Sequence, residues 1–153
     1  MKKVLFGLAL LMSSTAAWAE PIDSDLMTEI DIGSTLTIQQ NINIPAHMDI
    51  DITDGKLRSI GGFDDVDCTI GPRRNDGTYD HDVEIASGSI LTLTANEPFE
   101  NTDALYFKTQ SGNIVLIECM DGHPFGGPVP SIGKLKQALN GLAILTFKKP
   151  ESI

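Results

Sequence analysis

The chain has 153 residues, 41% of them hydrophobic, with 21 acidic side chains against 11 basic ones and a formal net charge of −10. That length suits one domain with a sizeable core. The acidic balance argues against nucleic acid and against an anionic membrane surface, since both are bound through clustered Lys and Arg.

Met1-Lys2-Lys3 is a short positive start, residues 4–12 are an apolar run, and 13–19 are mostly small or polar, with Ala17 and Ala19 where a signal peptidase needs small residues. Residues 1–19 are therefore expected to be a cleavable signal peptide. The apolar run is far shorter than the roughly 20 residues that span a bilayer. No later segment approaches that length, so no membrane insertion is expected after cleavage. Lys2 and Lys3 leave with the signal, so 21 acids then face 9 bases over 134 residues and the net charge becomes −12. The expected location is the periplasm of a Gram-negative cell, or the medium.

Residues 20–30 are acidic with one proline and are expected to form a flexible N-terminal segment. Residues 31–153 are expected to be a single β domain. From 34 to 44, Leu36, Ile38, Ile42 and Ile44 alternate with polar residues, and only Gln40 breaks the period of two. Pro45 interrupts, and alternation resumes with Met48, Ile50 and Ile52 against Asp49, Asp51 and Thr53. Asp54-Gly55 is a hairpin-turn dipeptide. A strand around Cys68, a polar loop over 71–81, strands over 82–86 and 89–95, and a loop over 96–103 follow. Strands over 104–109 and 113–120 flank Ser111-Gly112, a pattern that predicts a hairpin. Residues 121–130 hold three prolines and three glycines and are expected to be irregular. Ser131 is a natural N-cap, Ile132, Leu135 and Leu139 share a helical face, and Gly141 can end the helix. A last strand covers 142–147. The pattern predicts an all-β fold, a mainly antiparallel sandwich or a small β-barrel, with one short C-terminal helix.

Cys68 and Cys119 are the only two cysteines. In an oxidising compartment they are expected to form one disulfide. Closing a loop of about 50 residues would stabilise the fold by roughly 4 kcal/mol on the chain-entropy account.

Candidate sites are few. Asp80, His81 and Asp82, with His123, are metal-ligating residue types, though adjacent residues of an extended chain point to opposite faces. Asp121, His123 and Phe125 open the proline- and glycine-rich loop, where a stiff backbone and an aromatic anchor suit partner binding. Asp49 and Asp51 share one face of a strand, expected to be solvated and to offer negative charge to a basic protein partner. They are also expected to discourage edge-to-edge aggregation. No nucleophile comes with a base at readable spacing and no phosphate-binding glycine loop is present, so neither an enzyme nor a cofactor is expected. The expectation is a non-catalytic envelope binding module, inhibitor- or immunity-like. The alternatives are a periplasmic metal-binding protein and a structural accessory that accepts a strand at a sheet edge.

Overall fold

A computed structural model describes residues 19–59, 68–73, 81–99, 102–119 and 130–149. Ten strands and one α-helix follow a short 3₁₀ turn, Met27–Glu29. The strands are β1 (Thr35–Ile38), β2 (Ile42–Ile44), β3 (Ile50–Thr53), β4 (Lys56–Ser59), β5 (Cys68–Arg73), β6 (Val83–Ile85), β7 (Ile90–Phe99), β8 (Thr102–Lys108), β9 (Ile114–Cys119) and β10 (Ala143–Thr146). The helix α1 covers Ile132–Ala138.

Eight strands form one antiparallel sheet in the order β10-β1-β7-β8-β9-β5-β3-β4. The all-β class with one helix is therefore as expected. The architecture is one curled sheet whose edge strands, β4 and β10, are not paired with each other among the described residues. The curl brings both edges to the end of α1. Gly55 N–H, in the β3–β4 turn, donates to Ala138 C=O at 2.7 Å, and β10 begins just beyond the helix. The turn itself is as the Asp54-Gly55 dipeptide predicts: both residues have positive φ, 46° and 71°.

The run 34–44 is two strands rather than one. β1 pairs with β7 and β2 pairs with β6 on the same register, so β2–β6 continues the β1–β7 ladder past an interruption. The interruption falls on exposed Gln39, Gln40 and Asn41, where the alternation broke. There Ser87 N–H donates to Asn41 Oδ1 and Ser87 Oγ–H to the Gln39 carbonyl, each at 2.9 Å. These bonds hold the ribbon where it leaves the main sheet. Beyond them Ile42, Ile44, Val83 and Ile85 are all buried and join the common core.

Two expected loops carry strand instead. β5 continues to Arg73 into the expected 71–81 loop, and β7 and β8 run to Phe99 and from Thr102 through the expected 96–103 loop. Pairing with β9 carries Gly71 and Pro72, and pairing with β8 carries Pro98, despite their weak local strand signal.

The expectation of a flexible segment over 20–30 is corrected in its second half. Met27 and Ile30 are core residues at 0% and 1% exposure. Asn96 Nδ2 donates to the carbonyls of Thr28 and Ile30 at 2.8 and 3.1 Å. The first helical amides, which have no partner within a helix, find acceptors here: Ile132 N–H bonds to Asp25 C=O and Gly133 N–H to Asp23 C=O. Ser131 Oγ accepts from Lys134 N–H at 3.3 Å, the expected cap. Lys136 Nζ meets Asp23 Oδ1 at 2.7 Å. The segment thus serves as the N-terminal mooring of α1.

Candidate functional site

The register of β3, β5, β9 and β8 sorts their side chains onto two faces. Ile52, Cys68, Cys119 and their neighbours two residues along face the core. Cys68 and Cys119 stand directly opposite one another on adjacent strands and form the disulfide, with a Cα–Cα distance of 4.0 Å. The bridge joins two strands 51 residues apart in sequence, as the spacing suggested.

One residue away from the disulfide, on the opposite face, lies a row of charge. Arg58 pairs with Asp51, Asp51 with Thr69, Thr69 with Glu118, Glu118 with Ala104 and Ala104 with Glu97. The next row holds Gly71, Leu116 and Tyr106. Leu116 and Ala104 are only 2% and 4% exposed, a recessed apolar floor among carboxylates. Asp49 completes the set. Its carboxylate lies over Gly71, and a Cβ added at Gly71 would overlap it. A glycine inside a strand is a sign of such close approach.

Asp49 and Asp51 do share a face, but the expected solvation is corrected. Asp51 is 9% exposed and Asp49 is half-buried. The reason is position: β3 is flanked by β4 and β5, so neighbouring side chains shield both carboxylates. For the same reason the two acids do not guard a sheet edge.

Electrostatics follow from this crowding. Burial pushes the Glu118 carboxyl above its ordinary value, Arg73 pulls it down and Asp49 pushes it up again. The Tyr106 hydroxyl is raised by burial first and then by Glu97, to which it donates at 3.3 Å. A partly desolvated carboxylate beside a second carboxylate is under-neutralised, and an incoming cationic group relieves it.

The other candidate residues lie elsewhere. Asp82 Oδ1 accepts from Ala46 N–H at 2.9 Å and ties the far end of the β2–β6 ribbon. His81 beside it is exposed and makes an interaction of its own. Asp80, Asp121, His123 and Phe125 fall outside the described residues. Among the described residues no group of three or more His, Cys, Asp or Glu is arranged to hold a metal ion. Also among them, no helix is long and apolar enough to cross a membrane. The chain matches no family model, no curated protein and no solved structure.

Proposed function

We propose that the protein is a non-catalytic binding module of the bacterial envelope, inhibitor- or immunity-like, that takes a protein partner with a basic surface. The observation that carries this reading is the row Asp51, Glu118 and Glu97 with Asp49, set around Leu116 and Ala104 on the outer face of the disulfide-linked strands. Apolar floor and charged rim are the ingredients of a specific docking patch. The net charge of −10, deepening to −12 without residues 1–19, favours encounter with a cationic partner. The Cys68–Cys119 bridge and the signal-like residues 1–19 support a periplasmic or secreted location.

The test is binding of the purified, disulfide-bonded protein to a basic lysozyme-type hydrolase across a salt series. The expected result is a complex that weakens as salt rises and is lost in the Asp49→Asn/Glu118→Gln double variant. A complex indifferent to both salt and the double substitution refutes the proposed face. Absence of any complex with basic hydrolases refutes the inhibitor-like reading.

A further inference from the structure

Two polar residues are buried among the described ones, Ser34 and Asp51. They differ in how burial is met. Ser34 Oγ accepts from Lys148 N–H at 3.0 Å. The Asp51 carboxylate, in a residue only 9% exposed, has no hydrogen-bond or ion-pair partner among the described residues. Arg58 stands opposite it across the β3–β4 ladder but is exposed and makes no ion pair with it. A buried carboxylate without a partner is costly, so its retention asks for a purpose.

The ladder register gives the surroundings. Asp51, Thr69, Glu118, Ala104 and Glu97 follow one another across the sheet on one face. Glu97, at the end of this row, and Arg58, at the other, are exposed, while the members between them are buried or half-buried. The face is therefore a hollow, with Asp51 low in it and half-buried Asp49 and Glu118 beside it. Among the described residues these acids are not grouped as ligands for a metal ion. Two strand spacings, roughly 10 Å of backbone, separate Asp51 from Glu118. A guanidinium spreads five donors over a plane and can meet carboxylates on both sides of Thr69, whereas an ammonium is a compact point charge. It is also the more weakly hydrated cation, which suits a recessed site. Leu116, in the next row, offers an apolar surface to a methylene stem.

We propose that this hollow takes one arginine side chain of the partner, its guanidinium between Asp51 and Glu118 and its stem along Leu116. The inference rests on the acidic face being the docking surface, and it names the anchor that surface selects. Asp51 is then kept unpartnered in the free protein, at a cost in stability, for a donor that arrives from outside.

The probe is a short glycine peptide with one central arginine, compared with its lysine counterpart by amide chemical shifts. The arginine peptide is expected to move the Thr69 and Leu116 amides and to bind about tenfold more tightly than the lysine peptide. Asp51→Asn is expected to abolish that preference while raising the thermal midpoint, because no unpartnered charge remains buried. Equal or tighter binding of the lysine peptide overturns the proposal, as does an arginine preference that survives in Asp51→Asn. A lowered midpoint in that variant also overturns it, since the carboxylate then serves the free fold. A basic hydrolase that binds through Asp49 and Glu118 without any arginine preference sinks this inference and leaves the proposed function standing. An arginine preference that depends on Asp51, with no hydrolase complex, does the reverse.

Discussion

β4 and β10 end the same sheet, yet they are stabilised in different ways. β4 belongs to the half that contains β3, β5 and β9, where a covalent bridge crosses between paired strands and lysine and arginine line the edge. β10 belongs to the half that contains β1 and β7, where pairing, core packing and the approach of α1 do the holding. The difference teaches that protection of an edge and stability of the strands behind it are separate properties. The half with the cross-link is also the half whose edge strand carries charge.

Breaking the cross-link should have the largest effect. Cys68→Ala/Cys119→Ala is expected to lower unfolding free energy by roughly 2–4 kcal/mol, because the unlinked chain has more freedom when unfolded. Urea titration measures it; a loss under about 0.5 kcal/mol would show the bridge to be dispensable. Next is Gly55→Ala. Alanine resists the left-handed backbone there, and its Cβ would overlap the Asn140 carbonyl. A cost of at least about 2 kcal/mol is expected. Because Gly55 docks the β4 side onto the helix that leads into β10, proton exchange should quicken at both edges.

Asp82→Ala should cost about 1 kcal/mol, since it strands the Ala46 amide at the end of the ribbon. Its effect on exchange should stay within β2 and β6 if the ribbon is held locally. Glu118→Gln is the smallest and sharpens the comparison by pH. The folded carboxyl is raised, so the folded state keeps a proton that the unfolded chain has released. Stability therefore rises as pH falls through the folded value, and the gain is complete below the ordinary value of 4.5. For this half-buried group the whole swing is expected to be under about 1 kcal/mol. Thermal midpoints in the glutamine variant should lose that rise while the rest of the pH profile is kept; an unchanged profile would mean Glu118 is as solvated folded as unfolded.

Much of the fold was legible because burial alternates cleanly where a strand has one dry face. Leu36, Ile38, Ile42 and Ile44 announced β1 and β2, and the lapse at Gln40 marked the bend between them. Asp54-Gly55 and Ser131 acted through their own backbone chemistry and needed no tertiary context. Three things were hidden because they depend on neighbours. Met27 and Ile30 are buried by contacts with β8 and β7 that no local pattern encodes. Gly71 and Pro72 look like loop residues until β9 pairs with them. Asp51 looks solvated because aspartate usually is, and only the sheet order shows that its strand is interior. The candidate site was half-visible: Asp49 and Asp51 stood out as a pair, but their partners Glu118 and Arg73 are joined to them only by register.

The position of β1 carries a consequence for how the chain becomes a protein. β1 lies between β7 and β10, and its Thr35 is paired with Thr146, near the other end of the chain. β1 therefore gains its second neighbour only from a strand far along the chain. Such distant pairings make folding slow, because loop closure costs entropy before contacts repay it. Until β10 docks, one side of β1 is an open ladder, so β10 acts as the latch of that half of the sheet.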